Sequence, residues 1–188
     1  MSKYFILLTI PLALISIFHV VPFISIKGKK IAIRNLPLIK IFLIAFVWAN
    51  VLVGLPYLNT IETFKMTPEA IILFISQFIF IMAITLPFDI RDMTYDMTAK
   101  IKTLPHIIGI KSTIMVSGFL LTIFLALKFY QYKVHHITGL QFIALGISTV
   151  ITGIIIAFTN KKRSELFYSG LIESTMLIMY FSVLILEY

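Results

Sequence analysis

The sequence predicts an all-α membrane protein: a polytopic bundle of six transmembrane helices in one domain. Of its 188 residues, 60% are hydrophobic and only 13% are charged, with a mean hydropathy of +1.03. Soluble domains are roughly half apolar and a quarter charged. The apolar residues form six blocks, each near the roughly 20 residues that a helix needs to cross a bilayer. These blocks fill the chain, so no soluble domain is expected.

The six predicted spans follow one another with short connections. They are residues 4–26, 36–58, 68–87, 112–130, 137–159 and 166–186, with an aspartate-rich loop at 88–111. The first block is not a cleaved signal, because it exceeds the usual h-region of about 7–15 residues and shows no convincing cleavage site. Pro68 and Pro87 lie at the ends of the third span, where a missing backbone amide is tolerated.

The net charge of +8 indicates membrane topology and not nucleic-acid binding, because the basic residues lie in short connections between apolar blocks. A basic cluster at residues 27–34 follows the first span and predicts that this end is cytoplasmic. Both termini are then outside, in an expected bacterial inner membrane. Of the sixteen Lys and Arg residues, the outer side would hold only Lys3, Lys65, Lys128 and Lys133.

Every aspartate of the protein lies in the loop after the third span. On a helix, Asp89, Asp92 and Asp96 fall at i, i+3 and i+7 and share one face with Lys100. Like charges at this spacing repel, and a purely topological loop would contain mostly Lys and Arg. A divalent cation with an anionic ligand explains the cluster, and oxygen ligands with open positions suit Mg²⁺ bridging a diphosphate. The chain has no cysteine, which excludes thiolate metal sites.

Glu173 lies inside the last predicted span. A charged acid near the centre of a membrane helix costs roughly 2.5–3.5 kcal/mol on insertion scales, so its side chain should face the bundle interior. One interpretation is that Glu173 forms a wall of a polar cavity open to the cytoplasm. The other is an interhelical hydrogen bond or a protonated, packed carboxyl group.

The run Asp-Ile-Arg-Asp-x-x-x-Asp at residues 89–96, followed by Lys-x-Lys-Thr-Leu-Pro at 100–105, resembles the second aspartate-rich motif of UbiA-type intramembrane prenyltransferases. That family has nine transmembrane helices, with aspartate-rich motifs between the second and third and between the sixth and seventh. The six predicted spans would correspond to family helices four to nine. The resemblance covers the whole chain.

The resemblance implies transfer of an isoprenyl group from an isoprenyl diphosphate to an aromatic or other lipophilic acceptor, with Mg²⁺ as the cofactor. By position, Asp92 and Asp96 match the metal-binding pair, and Asp89 matches the acid one turn earlier. Three further residues become candidate diphosphate contacts: Arg91, Lys100 and Lys102.

The first aspartate-rich motif of the family is absent, and all three aspartates are already used in the second. Three accounts fit this absence: a truncated product of a longer gene, a chain that assembles with a partner supplying the first helices, or a degenerate member without catalysis. The outward, nearly tail-free amino terminus favours the first two.

Two functions of other classes stay open. In a small cation or solute transporter, Asp89, Asp92, Asp96 and Glu173 would line a path, although three of the four acids sit together at one surface. In a structural membrane subunit, the acidic loop would dock a basic partner without any metal.

Overall fold

The computed structural model is a helical bundle, with one short hairpin near the amino terminus. It describes residues 3–21, 24–26, 29–31, 39–60, 66–98 and 102–187. The helices are α1 (Lys3–Val20), α2 (Ile39–Thr60), α3 (Pro68–Thr98), α4 (Leu104–Ile108), α5 (Ile110–Lys133), α6 (Gly139–Ala157) and α7, whose π-helical start is Phe167–Ile172 and whose α-helical part is Ser174–Glu187. Strands β1 (Ile24–Ile26) and β2 (Lys29–Ile31) pair antiparallel.

Five of the described helices, α2, α3, α5, α6 and α7, are long and apolar enough to cross a membrane. Their outer faces carry large exposed apolar side chains, such as Phe119 on α5, Val150 on α6 and Ile185 on α7. Contiguous apolar surface of this kind is stable against lipid and not against water. The predicted multi-pass helical membrane protein is therefore confirmed.

The first predicted span is wrong in its extent. α1 ends at Val20, and Ile24–Ile26, inside the predicted span at 4–26, form a strand. The sequence contains the reason, because Pro22 disfavours helical geometry at the residue before it and has no amide to continue the ladder. The apolar stretch of α1, Phe5–Ile17, is shorter than the five spans.

The predicted loop at 88–111 is also wrong in part, because α3 continues through it as far as Thr98. Pro87 does not end the helix but lies inside it, buried. A proline inside a membrane helix is tolerated where neighbouring helices support the freed backbone. As a result Asp89, Asp92 and Asp96 all lie on one helix.

α3 is the central element of the bundle. It packs between α2 and α5, α5 packs on α6, and α6 packs on α7. α7 also contacts α3, because the ring centroid of Tyr168 on α7 lies 5.9 Å from that of Phe88 on α3. Between α3 and α5 the rings of Phe80 and Phe124 meet at 5.0 Å, both fully buried.

Replacing Phe124 by Ala is expected to destabilise the bundle by about 3 kcal/mol, because it removes buried contacts with Phe80 and leaves a cavity between α3 and α5. Unfolding in detergent micelles, followed by circular dichroism, measures the change. The matched control is Phe119→Ala on the same helix, whose ring is 66% exposed. Equal losses in the two variants would contradict this packing.

Candidate functional site

Three helix termini meet at one end of the bundle, here called the aspartate end. Lys40 lies in the first turn of α2, Asp89 and Asp92 lie near the end of α3, and Glu165 lies just before the π-helical start of α7. The start of α2 lies beside the last turns of α3 in space, and this brings Lys40 next to Asp89 although they are far apart in sequence. The aspartate end holds the charged side chains that contact one another across these helices.

The Lys40 ammonium contacts two of the three aspartates. Its Nζ donates to Asp89 Oδ1 at 3.0 Å and lies 3.6 Å from Asp92 Oδ2. The Asp89 side chain is 1% exposed, against 17% for Lys40. A carboxylate this buried needs a compensating charge, and Lys40 supplies it from the neighbouring helix.

Arg91 links α3 to α7 and shares one of these carboxylates, Asp92, with Lys40. Its Nε donates to Asp92 Oδ1 at 2.7 Å, and its Nη1 donates to Glu165 Oε1 at 2.8 Å. The guanidinium carbon lies 5.0 Å from the ring centroid of Phe88 and 5.9 Å from that of Tyr168. These cation–π and ion-pair contacts hold the guanidinium in place beside Lys40.

A cavity of about 600 Å³ adjoins these charges, in the space between α2, α3 and α7. Lys40, Arg91 and Asp92 line its polar part, and Ser169, Glu173 and Ser174 form the wall on α7. The rest of its lining is largely apolar: Ile44, Trp48, Ile81, Ile84, Phe88, Met176 and Leu177. Glu173 is one of the lining residues of this cavity, and it is exposed.

A second cavity of about 390 Å³ shares two lining residues with the first, Ile81 and Met176. Its lining is apolar apart from Gln77 and Tyr180. The amide oxygen Gln77 Oε1 is buried and has no hydrogen-bond partner among the described residues. The second cavity thus lies next to the first, and its lining lacks the charged residues of the aspartate end.

Of the other two predicted diphosphate contacts, the structure describes only Lys102. Lys102 is exposed and is not part of the cavity lining, and Lys100 lies outside the described residues. Asp96 is buried at 6% exposure, yet it is absent from the cavity lining and from the ion pairs of the described chain.

At the predicted Mg²⁺ site, the Lys40 ammonium takes part of the space between the carboxylates. Asp89 Oδ2 and Asp96 Oδ2 are buried with no hydrogen-bond partner in the described chain, which leaves oxygen atoms that a cation prefers. However, Lys40 already lies between Asp89 and Asp92. Within the described ranges, no three His, Asp or Glu side chains converge closely enough to hold a metal ion. Magnesium binding stays a prediction.

The segment after α3 is held by a hydrogen-bonded histidine. The backbone N–H and the hydroxyl of Thr103 both contact His106 Nδ1, at 3.4 and 2.7 Å, and His106 Nε2 lies 3.1 Å from the Met93 carbonyl oxygen. Because a backbone N–H only donates, Nδ1 accepts, and the proton on Nε2 is donated to Met93. α4 is thereby tied to the end of α3.

Sequence reasoning missed Lys40, Glu165 and Tyr168 as members of the aspartate end. A signal was present for Lys40, since it lies inside the predicted second span, where an ionisable residue is a functional candidate by default. No local pattern indicates Glu165, because its partner Arg91 is 74 residues away.

The chain matches no protein-family model, no curated protein and no solved structure. Its function therefore has to be argued from the cavity and the charges that line it.

Replacing Lys40 by Met is expected to destabilise the protein by about 3 kcal/mol, because the Asp89 carboxylate is left buried without its cation. Adding Asp89→Asn should recover most of this loss, since the neutral amide needs no cation. Denaturant unfolding in micelles of the two single variants and the double variant measures the coupling.

Lys102→Met is the control and should change stability by less than about 0.5 kcal/mol, because Lys102 is exposed. A double variant no more stable than Lys40→Met alone would contradict the ion pair.

Proposed function

We propose that this chain is an intramembrane prenyltransferase-like protein that binds an isoprenyl diphosphate in the cavity at the aspartate end and transfers the isoprenyl group to an aromatic or other lipophilic acceptor. The observation that supports this most is the polarity of the cavity. Two cations, Lys40 and Arg91, line one part together with the acids Asp92 and Glu173, and the remainder is lined mainly by apolar side chains. A diphosphate with a hydrocarbon tail likewise has one charged part and one apolar part.

The two cations suit the diphosphate for different reasons. Arg presents a planar set of donors that matches phosphate oxygens, and Arg91 is held in position by the rings of Phe88 and Tyr168. Lys40 is a compact charge on the facing helix. Charge-assisted hydrogen bonds of this kind are about twice as strong as neutral ones. An anion entering the cavity would meet both.

The apolar lining suits the tail and the acceptor. The first cavity shares Ile81 and Met176 with the second, so a tail that begins at Lys40 and Arg91 has apolar volume to extend into. Burying each methylene of the tail contributes roughly 0.8 kcal/mol. A soluble diphosphate without a tail should therefore bind much more weakly.

In the proposed transfer, the bond between the first isoprenyl carbon and the diphosphate oxygen breaks, and pyrophosphate leaves with the electron pair. An electron pair of the acceptor forms the new bond to that carbon, and the acceptor then loses a proton. Lys40 and Arg91 stabilise the negative charge that grows on the departing pyrophosphate. The cavity limits water, which would otherwise capture the allylic cation.

The resemblance to UbiA-type prenyltransferases supports the same proposal, through residues 89–96. It also supports a cytoplasmic location for the aspartate end and a partner chain, or a longer product, that supplies the missing first motif. Mg²⁺ belongs to this resemblance, and no step above is assigned to it.

Farnesyl diphosphate is expected to change the fluorescence of Trp48, the only tryptophan, because Trp48 lines the cavity beside Lys40. Titration of the purified protein in micelles measures the affinity, and farnesol, which has the same tail and no diphosphate, should bind at least about tenfold more weakly. Equal binding of the two ligands would contradict recognition of the diphosphate.

Arg91→Gln should weaken farnesyl diphosphate binding by about tenfold or more, because it removes a charged donor from the cavity. The matched control is Lys161→Gln, an exposed cation that is not part of the cavity lining and should leave binding unchanged. Transfer is assayed separately, with radiolabelled farnesyl diphosphate and membrane lipid extract as the acceptor source. Binding without any organic-soluble labelled product would reduce the proposal to a binding protein.

A further inference from the structure

The position of the Lys40 ammonium is unusual for a residue that serves only to bind an anion. Its Nζ lies 3.0 Å from Asp89 Oδ1 and 3.6 Å from Asp92 Oδ2, two carboxylates one turn apart on α3. This is the position between two oxygen ligands that a bridging cation would take. The ammonium therefore neutralises two of the three carboxylates that are predicted to bind a metal, Asp89 and Asp92, while Asp96 has no ion pair among the described residues.

Lys40 also faces the cavity, which a purely structural ion pair would not require. Its side chain is 17% exposed and lines the cavity together with Arg91, whereas Asp89 is 1% exposed and is not part of the lining. An ammonium has three N–H donors, and the two carboxylates use at most two of them. At least one donor is left for a ligand oxygen.

Lys40 and Arg91 already pair with Asp89 and Asp92, whereas Glu173 in the cavity wall and buried Asp96 have no ion pair among the described residues. Lys40 and Arg91 contribute two positive charges, and Asp89 and Asp92 contribute two negative charges; Glu165, which also pairs with Arg91, is 72% exposed and largely solvated. A divalent cation between Asp89 and Asp92 would lie against the Lys40 ammonium, and like charges at such a distance repel strongly in a partly buried site. Metal and Lys40 therefore exclude each other from this position.

We propose that Lys40 is a built-in cation that replaces a divalent metal between Asp89 and Asp92, so that the cavity recognises a diphosphate without metal at these two residues. This inference rests on the proposed function for the identity of the ligand, but the exclusion of metal by Lys40 does not.

The first test uses Mn²⁺ alone, which quenches tryptophan fluorescence at short range and which carboxylate oxygens bind. Trp48 lines the same cavity as Lys40 and Asp92, so it reports on this position. The wild-type protein in micelles should show no saturable quenching by Mn²⁺ up to millimolar concentration. Saturable quenching of the wild type that Asp92→Asn abolishes would overturn the proposal.

The variant Lys40→Met should gain saturable Mn²⁺ quenching, because Asp89 and Asp92 then lack their cation. The matched control is Lys102→Met, an exposed lysine that is not part of the cavity lining, which should behave as the wild type. If Lys40→Met does not fold, two measurements still test whether Lys40 replaces a metal. They are the Mn²⁺ titration of the wild type and the binding of farnesyl diphosphate to Lys40→Gln.

The second test compares farnesyl diphosphate binding to the wild type in Mg²⁺ and in EDTA. The two affinities should agree within about twofold, whereas Lys40→Gln should bind about tenfold more weakly in EDTA and recover part of that loss in Mg²⁺. Loss of wild-type binding in EDTA would overturn the role of Lys40. Absence of binding in both conditions would overturn the proposed function, and the Mn²⁺ titration would then decide the role of Lys40 by itself.

Discussion

The aspartate end depends on one constraint: the Asp89 carboxylate is buried between helices and must be neutralised by a cation. Lys40 meets this requirement across the interface of α2 and α3. Because the ion pair lies at the start of α2 and near the end of α3, it fixes the axial position of one helix relative to the other. Lys40 also contacts Asp92, which pairs with its sequence neighbour Arg91, and Arg91 reaches α7 through Glu165. A chain of charges thus connects the three helices around the cavity.

The sequence predicts the helical membrane bundle well, because apolar blocks of the right length are a direct consequence of the lipid environment. It predicts boundaries less well. Pro87 marks a helix end by its local chemistry, yet packing against neighbouring helices keeps the helix intact around it. The reverse holds near the amino terminus, where apolar character continues past Val20 while the helix does not.

The sequence predicts the aspartates of the candidate site but not the residues that pair with them. The face shared by Asp89, Asp92 and Asp96 follows from spacing on one helix, which is local information. The partners of these residues are not local: Lys40 is 49 residues before Asp89, and Glu165 is 74 residues after Arg91. The Thr-Leu-Pro-His segment after the aspartates also has a packing role, since Thr103 and His106 tie α4 to α3. Part of the motif that carries the family resemblance therefore serves the fold.

The π-helical start of α7, Phe167–Ile172, determines which side chains α7 presents to the aspartate end. A π-helical turn holds one residue more than an α-helical turn, so it shifts the phase of everything beyond it by about 100°. Tyr168 and Ser169, within the shifted turn, face the aspartate end, while Ile172 and Thr175 further along are fully buried in the bundle. One inserted residue is enough to reorient a helix terminus toward a ligand while the packed remainder keeps its contacts. Deleting one residue there would return α7 to a regular helix and turn Tyr168 away from Arg91.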